Sequence, residues 1–170
     1  WRPALAPLPR PRAAVLLGGP SGSARWTGAE RARLVRALAG LVEAGWSLVV
    51  TPSRRTEPAL LDALERAAPP ERLWIWSGAG ENPYPGILGL ADTVIVTADS
   101  VNMTSEAAAS GLPVHVFALE GLAPKLRAFH DAMVARGHTR PFEGAVERWA
   151  PVPLSEADRV AAIVEARLLA

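Results

Sequence analysis

Hydrophobic positions along the chain fall into short runs separated by longer segments with helical periodicity. Because these runs are almost continuously apolar, they are typical of strands buried on both faces of a sheet. The predicted strands are Ala13–Leu17, Ser47–Thr51, Leu73–Trp76, Thr93–Thr97 and Val114–Phe117. Strands that alternate with helices predict an α/β fold with a mostly parallel sheet covered on both faces. Right-handed crossovers favour a doubly wound sheet with the strand order 3-2-1-4-5.

The segments between the strands have local helix signals. Thr27 and Glu30 have the spacing of a capping box, and an apolar stripe follows before Gly45, where this helix is expected to end. Thr56 is expected to cap the helix after the second strand. No regular element is predicted for 138–153. The remaining predicted helices cover 87–91, the Ala-rich segment after Ser100, 125–136 and 156–168.

Composition narrows the classes of function. The net charge is +1, so no overall field draws the chain to nucleic acid. The chain has no cysteine, which excludes a zinc–cysteine site and a thiol nucleophile. The histidines lack metal-ligand spacing, and we expect neither a metal nor a cofactor. No apolar run reaches the ~18 residues of a membrane span, and we expect a cytoplasmic bacterial protein.

The first residues differ in composition from the rest of the chain. Residues 1–12 are rich in proline and do not begin with Met. We interpret them as an interdomain linker from a longer protein. Residues 13–170 are then predicted to form one domain, with a further N-terminal domain of the same protein as its partner.

Two loops rich in small residues follow the first and fourth predicted strands. In the predicted order these strands are neighbours and the sheet reverses its winding between them, so both loops should face one crevice. Glycines, hydroxyls and the free amides of a helix N-terminus together describe a phosphate or pyrophosphate site. Each loop alone is equally well explained as a tight turn or a helix cap. The candidate ligand-binding residues of these loops are Gly19, Ser21, Gly22, Ser100, Asn102, Met103 and Thr104.

Charged residues at the ends of other strands are placed to reach the same crevice. Glu106 lies in the second turn of the helix after the fourth strand, where it either binds the hydroxyls of a ribose or only complements the helix dipole. Ser53, Arg54 and Arg55 follow the second strand. The two arginines suit a diphosphate, although a solvated loop explains them equally well.

The loop after the third strand carries the remaining candidates. Trp76 is placed to lie against a nucleobase while the loop through Asn82 reads the edge of the base. A tryptophan at the end of a strand is, however, more often a core residue. The chain has neither the G-x-G-x-x-G spacing of dinucleotide sites nor a G-x-S-x-G nucleophile, and no catalytic residue is assigned.

Four motifs in order resemble the mitochondrial-fission ELM-type family and its bacterial relatives. They are Gly18-Gly19-Pro20-Ser21, residues 51–56, Asn82-Pro83-Tyr84 and residues 96–107. The chain is also similar to the donor-binding C-terminal half of GT-B glycosyltransferases of the MurG type. This resemblance implies a Rossmann-like fold with Ser21 and Ser100 near the diphosphate of a nucleotide sugar. It also implies Glu106 at the ribose and Trp76 near the base.

The resemblance implies three functions. The leading one is the donor-binding half of a nucleotide-sugar-dependent GT-B glycosyltransferase, with the nucleotide-diphosphate sugar as substrate and the general base in the other domain. The fission relatives imply a non-catalytic scaffold or adaptor, and peripheral association of the full-length protein with a membrane. A nucleotide-sugar epimerase shares the architecture but needs acidic and histidine groups around the sugar.

Overall fold

The computed structural model describes residues 2–155 and 164–165 of the chain. Its strands are β1 (Arg12–Leu17), β2 (Ser47–Pro52), β3 (Leu73–Ile75), β4 (Thr93–Thr97), β5 (Val114–Phe117) and β6 (Arg140–Pro141). They form one sheet in the order β3-β2-β1-β4-β5-β6, and all pairings between these strands are parallel. The predicted doubly wound sheet and the order of its first five strands are therefore confirmed.

Helices flank this sheet and connect its strands. They are α1 (Arg2–Leu5), α2 (Gly28–Glu43), α3 (Pro58–Ala67), α4 (Tyr84–Leu90), α5 (Val101–Ala109) and α6 (Pro124–Ala135). A short 3-10 turn, Pro70–Arg72, precedes β3. Within residues 2–155 and 164–165, every helix is too short or too polar to span a bilayer.

Strands β1 and β4 form the centre of the core. Every residue of Ala13–Leu17 and of Thr93–Thr97 is buried, as expected for strands covered on both faces. Burying each valine, leucine or isoleucine side chain stabilises the fold by about 1.5–3 kcal/mol relative to leaving it exposed. The loops that follow these two strands therefore start from strands that are buried on both faces.

Local signals at two helix starts are confirmed, and a third is wrong. Glu30 N donates to the Thr27 hydroxyl at 3.2 Å and Thr27 N donates to Glu30 Oε2 at 3.1 Å, which completes the capping box of α2. Ser100 caps α5 by accepting from Met103 N at 3.3 Å. Thr56 does not cap α3, which begins after Glu57 without a side-chain cap. Its hydroxyl instead bonds to the loops after β1 and β2.

Other differences from the sequence-based expectation lie near the chain ends. Within the segment interpreted as a linker, Arg2–Leu5 form a helix, and Leu5 and Leu8 are buried in the core. Within 138–153, expected to be irregular, β6 adds a sixth strand beside β5. A two-residue strand has no periodicity that a sequence pattern can indicate. The helix predicted over 156–168 lies outside the described residues except for 164–165.

Candidate functional site

Two adjoining cavities lie at the carboxyl ends of β1, β2 and β4, where the winding of the sheet reverses. The arginine cavity, about 380 Å³, is lined by Ser53, Arg54, Arg55, Ser100 and Met103. The aromatic cavity, about 210 Å³, is lined by Leu16, Thr51, Pro52, Ser53, Trp76, Asn82, Tyr84, Met103 and Glu106. Ser53 and Met103 line both cavities, which together form one crevice at the position where doubly wound sheets bind ligands.

The loops after β1 and β4 lie side by side and are joined by hydrogen bonds. Gly18 N donates to the Thr97 hydroxyl at 2.8 Å, and that hydroxyl donates to Asp99 Oδ1 at 2.7 Å. Gly19 N donates to Asp99 Oδ2 at 2.9 Å. The Gly19 amide, expected to face a phosphate, is therefore bonded to a carboxylate of the protein itself.

The second half of the loop after β1 is a tight turn outside both cavities. Ser21 and Ala24 form an isolated bridge, with Ser21 N donating to Ala24 O at 3.0 Å. Ser23 N donates to the Ser21 hydroxyl at 3.2 Å. Gly22, at the tip, is exposed. The structure thus uses Ser21 as a turn residue.

Two predicted site residues of α5 also lie outside the cavities. Thr104 is fully buried, and its hydroxyl donates to Ser100 O at 2.9 Å. Asn102 is exposed and lines neither cavity. Because side chains of a helix point in different directions at successive positions, only Met103 and Glu106 of this helix reach the crevice.

The arginine cavity has an excess of positive charge. Arg55 lies 3.4 Å from Asp99 Oδ2, and its side chain remains 48% exposed. Arg54 is exposed and has no hydrogen-bond or ion-pair partner among the described residues. The Ser53 hydroxyl accepts from Arg55 N at 3.2 Å, which bends this loop around the cavity. Two guanidinium groups beside one carboxylate suit an anionic ligand.

The aromatic cavity joins flat side chains to a carboxylate. Trp76 is half-buried and donates from Nε1 to Ala79 O at 3.1 Å. Asn82 Oδ1 accepts from Tyr84 N at 3.0 Å and so holds the start of α4. Burial, and secondly the neighbouring Glu106 carboxylate, raise the pKa of the Tyr84 hydroxyl above its usual range. The buried Tyr84 hydroxyl has no hydrogen-bond partner among the described residues, so its proton is available to a ligand beside Glu106.

Neither Asp99 nor Tyr84 was among the predicted site residues. Both stood inside motifs that were recognised, directly after β4 and directly after Asn82-Pro83. The usable signal was an acidic residue at the carboxyl end of a central strand.

Among the residues that the structure describes, no group of three His, Cys, Asp or Glu side chains is placed to hold a metal ion.

Comparison with known proteins gives a family and a fold. The family model described as "Mitochondrial fission ELM1" matches residues 1–168. The "Mitochondrial fission protein ELM1" of Arabidopsis thaliana is 32% identical over 176 residues, which cover 100% of this chain. The chain spans only 41% of the length of that relative.

Solved structures share the fold at low sequence identity. The "glycotransferase of kitacinnamycin" superposes with a TM-score of 0.51 at 20% identity, over 91% of this chain and 34% of that chain. The UDP-GlcNAc 2-epimerase from Neisseria meningitidis, bound to UDP-GlcNAc, superposes with a TM-score of 0.52 at 14% identity, over 84% and 36% of the two chains. The chain therefore shares with these proteins a Rossmann-like α/β fold built on a parallel sheet.

Proposed function

The chain belongs to the mitochondrial fission ELM1 family, and from this premise we propose that it is the donor-binding half of a nucleotide-sugar-dependent glycosyltransferase. The observation that carries the proposal is the pair of adjoining cavities. A cationic cavity beside an aromatic one with a carboxylate matches the chemical sequence of a nucleotide diphosphate: anion, sugar hydroxyls, flat base.

The proposed placement follows the charges of the crevice. The diphosphate lies in the arginine cavity beside Arg54 and Arg55. Glu106 accepts hydrogen bonds from the ribose hydroxyls, and Trp76 lies near the base. In this arrangement the two guanidinium groups stabilise the negative charge that grows on the departing diphosphate during glycosyl transfer. The reaction then needs no metal ion at the diphosphate.

We assign the general base and the acceptor site to another part of the protein. The chain spans 41% of its Arabidopsis relative, which leaves room for a second domain facing the crevice. The carboxylate and the phenol that line the aromatic cavity, Glu106 and Tyr84, are placed for binding in this proposal. This chain alone is therefore expected to bind the donor without transferring its sugar.

One observation favours a different function, that of a non-catalytic adaptor. The Gly19 amide, expected to bind phosphate, is bonded to Asp99, so the loop after β1 is stable without a ligand. An adaptor of the fission type would need this fold but no nucleotide. The epimerase alternative rests on the shared fold alone. Binding of a nucleotide separates the adaptor from the other two functions.

Isothermal titration calorimetry with UDP, GDP, CMP and TDP at up to millimolar concentration tests the proposal. We expect one of these nucleotides to bind, and the double variant Arg54→Ala/Arg55→Ala to weaken that binding by about tenfold or more, because charge-assisted hydrogen bonds to phosphate are lost. Arg66→Ala, which removes an exposed arginine of α3 far from the crevice, is the matched control. Absence of binding by all four nucleotides would favour the adaptor.

A further inference from the structure

We propose that the Asp99 carboxylate takes the place of a phosphate at the Gly19 amide, in the loop after β1. In this way Asp99 sets the affinity of the arginine cavity for anions. This inference rests on the proposed function, because it concerns how the same crevice receives a diphosphate. Asp99 is a positioning residue in this proposal. It touches Arg55 and Gly19, and it acts on the ligand through them.

The packing around the two glycines supports the assignment. A Cβ atom added to Gly18 would lie 1.8 Å from Asp99 Oδ2, and one added to Gly19 would lie 2.0 Å from Arg55 O. In contrast, a Cβ atom on Gly22 would meet nothing within 4 Å. The absent side chains of Gly18 and Gly19 therefore make room for groups of the protein itself.

The hydrogen bonds of Asp99 leave no free position for a ligand at Gly19. The Asp99 side chain is 0% exposed. Its Oδ1 accepts from the Thr97 hydroxyl, and its Oδ2 accepts from Gly19 N and faces Arg55 at 3.4 Å. A phosphate would reach the Gly19 amide only by displacing this buried carboxylate, whose charge would then lack its partners. The diphosphate is therefore held on the side of Arg54 and Arg55.

The charge of Asp99 has a second consequence for the ligand. It offsets one of the two guanidinium charges of the cavity and repels an arriving phosphate. Replacing Asp99 by Asn removes the charge but retains an oxygen that can accept from Gly19 N. We therefore expect Asp99→Asn to bind anions more tightly than the unchanged protein, which a purely structural role for Asp99 would not produce.

The first test is calorimetric titration of the 170-residue chain and its variants with inorganic pyrophosphate. Asp99→Asn should bind about fivefold more tightly at about 0.05 M salt, and the difference should shrink at about 0.3 M salt because ions screen the charge. Asp92→Asn is the matched control. It removes the same charge from the amino end of β4, roughly 20 Å away, and should leave pyrophosphate binding unchanged.

A second measurement needs no variant at Asp99. In a ¹⁵N-labelled sample of the unchanged chain, pyrophosphate should shift the Nε–H signals of Arg54 and Arg55, while the Gly19 amide shifts less than these and stays protected from exchange. A Gly19 amide that shifts most, or loses its protection, would overturn the inference. So would weaker or equal pyrophosphate binding by a folded Asp99→Asn.

The outcomes for the inference and for the proposed function are distinct. The unchanged chain can bind a nucleotide while Asp99→Asn binds pyrophosphate more weakly than the unchanged chain does. That result would support the proposed function and refute the role of Asp99. If the unchanged chain binds no nucleotide or pyrophosphate but Asp99→Asn binds pyrophosphate, the function fails and the role of Asp99 is supported. If neither protein binds an anion, both are refuted.

Discussion

The loops after β1 and β2 lie at the same edge of the sheet but use their polar groups in different ways. The loop after β1 directs its amides inward, since Gly18 N donates to Thr97 and Gly19 N donates to Asp99. The loop after β2 bends through Ser53 and exposes Arg54 without a partner among the described residues. Both loops have compositions typical of ligand binding. The loop after β2 places the free charge of Arg54 beside a cavity.

This difference separates two reasons for a glycine or a hydroxyl after a strand. A small or polar residue that completes the fold already makes its contacts and hydrogen bonds within the protein, and replacing it lowers the free energy of unfolding. An exposed polar residue reserved for a ligand is hydrogen-bonded to water in the free protein, and replacing it changes stability little. Measuring stability and ligand binding for matched variants therefore assigns each loop to one class.

The largest expected effect is that of Gly19→Ala. The new methyl group would lie 2.0 Å from Arg55 O, so the loops after β1 and β2 must move apart. We expect the free energy of unfolding, measured by urea denaturation, to fall by about 3 kcal/mol. Gly22→Ala, in the open half of the same loop, should change it by less than about 0.5 kcal/mol. Equal effects of the two variants would contradict the assignment of Gly19 to the fold.

A smaller effect on the free energy of unfolding is expected at acid pH, through a buried histidine whose two ring nitrogens are hydrogen-bonded within the protein. His115 in β5 is fully buried, with Nδ1 3.2 Å from the Thr93 hydroxyl and Nε2 accepting from Glu147 N at 2.9 Å. Burial lowers the pKa of His115 to about 4, although the Glu147 carboxylate acts in the opposite direction. The unfolded chain takes up a proton at this histidine near its ordinary pKa of about 6.5, before the folded chain does.

Stability from His115 is therefore present above about pH 6.5 and is lost as the pH falls toward 4. We expect a loss of about 2 kcal/mol in the free energy of unfolding over this window. Urea denaturation of the unchanged chain and of His115→Gln at several pH values measures it. The variant should lack this part of the pH dependence, and an unchanged slope in the variant would assign the acid sensitivity to other groups.

The parts of the fold that sequence predicted are those encoded locally. The capping box of Thr27 and Glu30 and the continuously apolar strands depend on neighbours in the chain, and both are confirmed. The cap assigned to Thr56 is wrong because the hydroxyl bonds to Gly18 O, a partner 38 positions away. Strand β6 was missed because two residues form it only by pairing with β5.

The candidate site was predictable to a similar extent. The positions of Arg54, Arg55 and Glu106 relative to the ends of the strands were enough to predict that these residues lie at the crevice. The same reasoning did not distinguish Thr104, which is buried, from Met103 beside it. It also did not show that Asp99 bonds the Gly19 amide, since that pairing depends on the distance between two loops in space.

An intermediate effect is expected where the two loops meet. The Thr56 hydroxyl donates to Gly18 O at 2.7 Å and accepts from Ser53 N at 2.9 Å. Thr56→Val leaves both partners without this hydroxyl and should lower the free energy of unfolding by about 1–2 kcal/mol. Thr139→Val is the matched control, because the buried Thr139 hydroxyl has no partner among the described residues. It should be neutral or stabilising, and a loss equal to that of Thr56→Val would contradict the comparison.

The smallest expected effect on stability is that of Arg54→Ala, and it sharpens the comparison most. Arg54 is exposed and has no described partner, so its removal should change the free energy of unfolding by less than about 0.5 kcal/mol. The same variant should weaken pyrophosphate binding by about fivefold, because one of two guanidinium groups in the cavity is lost. Unchanged stability with weakened anion binding would therefore mark the loop after β2 as the one kept for a ligand, whereas a loss of stability without a change in binding would assign Arg54 to the fold.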